Sequence, residues 1–233
     1  MTILLGAPGS AKTAFANQLA AQAECPALVV TTEMSPITLL HRHTARVTKT
    51  HAAKFRTGEI APDLCRELFT RTIEEHLLIV LDSLHSWVRG SGMIAGGASE
   101  YTATSAAVSA LQRIGAEREC SVLVVSEQNR SNMGTDRQEA GADSRAIEYG
   151  AEVVIALSRE RNAIPDADDE VPITATIAKN RDGSPGTTID LRFCGRFMAF
   201  REGDGTANVV ASAAGRGKFT SSAGNHNGKA MVD

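Results

Sequence analysis

Cysteine is scarce and scattered in this 233-residue chain: Cys25, Cys65, Cys120 and Cys194 lie far apart, with no C-x-x-C pair. That spacing gives no sign of a zinc site and fits reduced, mostly buried thiols in a cytosolic protein. An excess of charge of one sign is missing too. The formal net charge of −3 excludes a chain-wide basic field, so nucleic acid would have to be gripped by a local patch. Long hydrophobic runs are also absent. MTILLGAPG holds a short apolar run without a basic flank, and no later segment approaches the roughly 18 apolar residues that a membrane helix needs. The expectation is a soluble, cytoplasmic protein with no membrane partner. The 42% apolar and 22% charged residues that remain suit one globular domain with a sizeable core.

Short apolar runs bounded by turn residues recur at Thr2–Leu5, Ala27–Thr31, Leu77–Leu81, Ser121–Ser126, Glu152–Leu157, Thr174–Ala178, Thr187–Phe193 and Phe197–Phe200. Their Val, Ile and Leu content fits strands buried on both faces, as in a parallel sheet. Helical stretches at Lys12–Ala23, Pro36–Val47, Ala61–Glu75 and Tyr101–Glu119 separate the earlier runs. Alternation of strand and helix predicts an α/β, doubly wound, mostly parallel sheet with ligands at the carboxyl ends of its strands. Consecutive strands with turns at Asp182-Gly183 and Pro185-Gly186 predict antiparallel strands at the C-terminal edge. The domain is expected to span residues 1–201. Residues 202–233, rich in Gly, Ser, Ala and Asn, read as a flexible tail.

The stretch GAPGSAKT, residues 6–13, follows an apolar strand and opens an Ala-rich helix. It nearly matches the phosphate-binding pattern G-x-x-x-x-G-K-[ST], with Ala11 where the pattern has glycine. An alanine entering a helix is expected to take negative φ at little cost. The nucleotide-binding set is Gly6, Pro8, Gly9, Ser10, Ala11, Lys12, Thr13 and Ala14. Backbone N–H groups would face the phosphates, Lys12 would neutralise the β/γ oxygens, and the Thr13 hydroxyl would ligate Mg²⁺. The plainer reading is a small-residue turn with an incidental lysine. Leu77–Leu81 delivers Asp82 to a strand end, where a magnesium-shell carboxylate belongs. Asp82 can alternatively be a turn residue. Many phosphate-loop ATPases, AAA-type motors among them, carry the base directly after this aspartate, but here Ser83 follows. The base must therefore come from elsewhere. Glu33, just beyond Ala27–Thr31, projects toward the same crevice; its alternative is a helix cap ahead of Ser35-Pro36.

Taken in order, GAPGSAKT, VVTTEMSPITLLHR, KFRTGEI, LLIVLDSL, VLVVSEQNR, RAIEYGAEVVIALSR and IAKNRDGSPGTTIDLRF resemble the motor domain of DnaB-type replicative helicases, RecA-like ATPases. The resemblance runs from about Ile3 to Phe200. It implies a RecA-like fold and a motor that couples Mg–ATP hydrolysis to translocation on single-stranded DNA and duplex unwinding. Lys12 and Thr13 would hold the phosphates, Glu33 would activate water, and Asp82 would join the Mg²⁺ shell. Lys179 and Arg181 match the family's pair that reaches a neighbouring subunit's site, with Arg181 as arginine finger, which implies a homo-oligomeric ring. Glu127 matches the position of a γ-phosphate sensor, with Gln128 one residue later as the alternative, because only one of them can face inward. DNA contact would fall to Arg130, Arg137 and Arg145, in a loop that also carries Asp136, Glu139 and Asp143 and no aromatic residue. The competing class is a RecA-like ATPase without helicase activity, which binds nucleotide and assembles.

Overall fold

The computed structural model describes residues 1–49, 76–127, 147, 149–160, 163–203 and 208–209. The predicted helix Ala61–Glu75 lies outside them. The first strand, β1 (Thr2–Gly6), leads into α1 (Lys12–Gln22), β2 (Ala27–Thr31) and α2 (Pro36–Thr48). Next come β3 (Leu78–Asp82), α3 (Leu84–Gly90), α4 (Glu100–Glu117) and β4 (Ser121–Glu127). The chain continues through β5 (Val153–Arg159), β6 (Glu170–Asn180), β7 (Thr187–Cys194), β8 (Ala199–Glu202) and β9 (Asn208–Val209).

Among the described residues, nine strands join one sheet in the order β2-β3-β4-β1-β5-β6-β7-β8, with β9 also on β7. The pairs β2–β3, β3–β4, β4–β1 and β1–β5 are parallel, while β5–β6, β6–β7, β7–β8 and β7–β9 are antiparallel. This is the mostly parallel α/β sheet with antiparallel C-terminal strands that the pattern predicts.

The period of a strand divides the core in two. Leu4, Val80, Leu123 and Val125 pack on one face with Ala14, Ala16 and Ala20 of α1. Ile3, Leu81, Val122 and Val124 pack on the other, with Leu84 and Val88 of α3 and Val108 and Leu111 of α4. Neighbouring residues thus serve opposite faces, because successive side chains alternate across the pleat. Alanines on α1 let that helix approach the sheet closely. Gln18 ties it to β8 by accepting from Phe200 N at 2.7 Å and donating to Phe200 O at 2.9 Å.

Two features depart from the sequence reading. β2 is not buried on both faces: Leu28 is 52% and Val30 38% exposed, because β3 is its one strand neighbour among the described residues. The helix α3 was not anticipated. Its signal is the i, i+4 pair Leu84 and Val88, both buried, in a run too short to show a full period.

Candidate nucleotide site at the carboxyl edge of the sheet

The strand order puts the ends of β2, β3, β4 and β1 side by side; the first three deliver polar residues and β1 delivers the loop after Gly6. Thr31 pairs with Asp82, Asp82 with Val125, and Gly6 with Glu127. Glu33, Asp82, Glu127 and the loop after Gly6 therefore line one edge, although they are remote in sequence. Between them lies a cleft of about 310 Å³ bordered by Gly9, Ala11, Lys12, Thr13 and Ala14 with Glu33, Asp82 and Glu127. That volume is at the lower end for small-molecule sites.

The loop geometry accounts for its small residues. At Gly6 a Cβ would press on Ser10 Oγ and come within 2.8 Å of Leu157 O, so side chains there are excluded by close approach. Gly9 has φ +81°. Ala11 has φ 63° and ψ 27° and serves as the N-cap of α1 without a side-chain cap bond. The expected negative φ is thus corrected. The loop must turn left-handed at the position where the pattern places glycine, and alanine adopts that turn at a cost of about 1–2 kcal/mol.

Lys12 is buried, and its Nζ donates to Gly6 O at 2.9 Å and Ala7 O at 3.0 Å. Burial lowers its pKa from the usual lysine range, opposed by the negative charges of Glu127, Glu33 and Asp82. Asp82 is 2% exposed. Burial raises its pKa and Glu33 adds to the rise, while the Thr13 hydroxyl, Lys12 and Arg42 favour the charged form. The Thr13 hydroxyl is close enough to bias Asp82, yet neither carboxylate oxygen closes a hydrogen bond of ordinary geometry among the described residues.

That pair of buried, unpartnered oxygens beside a threonine hydroxyl suits Mg²⁺, which takes one or two carboxylates and completes its shell with water and phosphates. No cluster of three or more His, Cys, Asp or Glu among the described residues offers an all-protein metal cage. A magnesium ion of that kind does not need one.

Glu33 borders the cleft, and its Oε1 accepts from the hydroxyls of Ser83 and Ser86. Glu127 also borders it; Gln128 lies outside the described residues. Ser35 caps α2, accepting from Thr38 N at 3.3 Å, so the cap role does not need Glu33. Arg42 of α2 reaches the cleft as well, as do Phe193 of β7 and Met198 of the turn between β7 and β8. None of these three was singled out from the sequence. Arg42 lies nine positions beyond Glu33 on a helix whose start was recognised, and Phe193 and Met198 arrive from far along the chain.

Lys179 and Arg181 are not in this cleft. The pairing Thr2–Val153–Asn180 places them at the amino edge of β1 and β5, four residues from the level of Gly6, or about 13 Å along the strand. Lys179 Nζ donates to Ala151 O at 2.6 Å, Arg181 N donates to Glu152 O at 2.9 Å, and the Arg181 side chain is exposed. Arg130, Arg137 and Arg145 lie outside the described residues.

A sequence profile of the DnaB-like helicase C-terminal domain matches residues 63–202, more than half of the chain. The chain belongs to the DnaB-like helicase C-terminal domain family. Asp82, Glu127, Lys179 and Arg181 fall within the matched span of this family domain, whereas the phosphate loop and Glu33 precede it. Among proteins of curated function, none matches the sequence. The fold is similar to a separately solved ATPase domain, with a TM-score of 0.69 at 16% identity over 86% of this chain and 84% of the other. It is also similar to a DnaB-like replicative helicase studied with its primase interactions, with a TM-score of 0.67 at 16% identity over 86% of this chain. The match spans only 58% of that helicase. The RadB recombinase shares the fold more loosely, with a TM-score of 0.50 at 18% identity over 84% of this chain and 87% of its own. The DnaB-like domain thus has a RecA-like fold, and no helix among its described residues is long and apolar enough to cross a membrane.

Proposed function

We propose that this chain is a Mg²⁺-dependent ATPase motor that couples hydrolysis to movement along single-stranded DNA and duplex unwinding, as a homo-oligomer with shared sites. The observation that carries the reading is the convergence of Lys12, Thr13, Glu33, Asp82 and Glu127 on one cleft at the end of the phosphate-loop strand. Family membership supports a helicase-type motor. Residues 1–201 form the motor domain in this reading and 202–233 its tail, although Glu202 and β9 (Asn208–Val209) belong to the sheet.

Lys12 neutralises the β/γ-phosphate oxygens, and the loop amides with the start of α1 orient the phosphate chain. Thr13 and Asp82 would hold Mg²⁺, which when bound would offset charge on the phosphates. Glu33 takes a proton from the attacking water, and Glu127 senses the γ-phosphate across a water, since direct contact of two anions is repulsive. Phe193 and Met198 form an apolar wall. Arg181 stabilises charge on the transferring phosphoryl group of the neighbouring subunit, with Lys179 beside it. Their distance from this chain's own cleft supports action in trans. Arg130, Arg137 and Arg145 are the candidate contacts to DNA phosphates.

ATPase rate with and without single-stranded DNA, measured beside mass in solution, tests the reading. DNA-stimulated hydrolysis by a ring-sized species is expected. Hydrolysis indifferent to DNA would assign the chain to the non-helicase ATPases instead, and absence of hydrolysis would overturn the motor itself. Mixing Arg181→Ala with Lys12→Ala subunits tests sharing: partial recovery of activity is expected, and none at any ratio counts against a site built from two subunits.

A further inference from the structure

We propose that Ser83 and Ser86 are positioning residues that clamp one oxygen of Glu33 and leave the other free for the attacking water; this rests on Glu33 being the base. Glu33 needs such support. It follows the end of β2 in a bend rather than in a helix or strand, is exposed, and carries a long side chain whose rotamers are costly to restrict. Its backbone surroundings are tethered by Thr32 N to Asp82 O at 2.8 Å. That bond orients the chain but not the carboxylate.

Ser83 supplies the missing restraint in an unusual way. It occupies the N-cap position of α3, where a serine oxygen ordinarily accepts from a backbone N–H of the first turn. Here it makes no side-chain cap bond. Its hydroxyl instead donates to Glu33 Oε1, and the residue is 1% exposed. Ser86, in the first turn of α3, donates to the same Oε1 at 3.2 Å. The two hydroxyls also lie 3.3 Å from each other; each serine has one O–H, and with both directed at the carboxylate the two protons converge on one oxygen, while Oε2 accepts no hydrogen bond among the described residues. The helix that begins immediately after Asp82 thereby links the magnesium carboxylate to the base. An acidic residue at position 83 would repel Glu33 where the hydroxyl now holds it.

The test uses the purified chain with saturating Mg–ATP and single-stranded DNA, with melting curves as a check on folding. Ser83→Ala is expected to lower kcat about tenfold, the scale of one hydrogen bond to a charged group, with KM within about twofold. Ser86→Ala, at a half-exposed helical position, is expected to lower kcat about threefold, and Ser86→Thr to restore it. In a Glu33→Gln background neither serine substitution should lower kcat further, because the clamp acts only through the carboxylate. Unchanged or raised kcat in both alanine variants overturns the clamp, as does an undiminished loss in the Glu33→Gln background. If Ser83→Ala does not fold, the Ser86 pair decides alone. Full turnover in Glu33→Gln itself overturns the reading of Glu33 as base; loss there with intact serine variants overturns the clamp only.

Discussion

The parallel and antiparallel halves of this sheet handle their polar groups in opposite ways. In the antiparallel half, acids and bases are paired at the surface. Arg201 donates Nε to both carboxylate oxygens of Glu170 at 3.0 and 2.9 Å, and Asp166 Oδ1 accepts from Asp168 N at 3.0 Å and Glu170 N at 2.9 Å. In the parallel half, Ser10, Ser126 and both oxygens of Asp82 are buried without partners among the described residues, and Ala11 holds a left-handed backbone. Ser10, Asp82 and Ser126 keep unpartnered polar atoms at the carboxyl edge because groups kept free for a ligand cannot also be bonded to the protein; left-handed residues, by contrast, occur in both halves, Asp169 and Met198 lying in the antiparallel one. The antiparallel half pairs its surface charges; the parallel edge carries candidate chemistry.

The largest effect expected is from Lys12→Ala, which removes the cleft's central cation and should abolish ATP binding; unchanged affinity in a calorimetric titration would break the contrast at its strongest point. Asp82→Asn comes next and should act in two directions. Magnesium-dependent turnover should be lost, while the melting temperature should rise. The sign follows from the raised pKa: ionising Asp82 costs more in the folded than in the unfolded chain, so its penalty is absent at acid pH and grows as pH rises through the carboxylate range. The variant's advantage in melting temperature should therefore be greatest at neutral pH, shrink as pH falls through the raised folded pKa, and be gone below about pH 4. An equal advantage at all pH values would contradict buried charge as the cause.

Ala11→Gly should sharpen the same comparison more gently. Relief of left-handed strain is offset by the greater freedom of glycine in the unfolded chain, leaving a net gain of about 0.5–1 kcal/mol in denaturant melts, together with tighter nucleotide binding as the methyl leaves the cleft. Loss of stability would mean that the methyl packs usefully. The smallest change is expected in the other half. Arg201→Ala should cost no more than about 1 kcal/mol and leave hydrolysis untouched, since the pair is solvent-accessible on the arginine side. A change in kcat there would link the two halves functionally.

Much of the fold is legible in the sequence. Ala27–Thr31 and Thr187–Phe193 come within one residue of β2 and β7, because apolar runs of four to seven residues between turn signals admit few other structures. Asp82 and Glu33 were legible as strand-end acids for the same reason. The serine bonds to Glu33 were not. They depend on α3 starting immediately after β3 and on β2 lying beside β3, and a lone serine after an aspartate carries no sign of its partner. Arg42, Phe193 and Met198 carry no such signal, because no spacing connects them to the phosphate loop.

Local chemistry was enough to set the alternation of strands and helices, the phosphate loop at Gly6–Thr13 and the acids at the strand ends, since each rests on short-range periodicity or turn geometry. Tertiary structure alone decided the left-handed turn at Ala11, the convergence of four strand ends on one cleft, and the separation of Arg181 from that cleft. Those features depend on which strands become neighbours, and strand neighbours are chosen by packing across the whole sheet rather than by any stretch of chain.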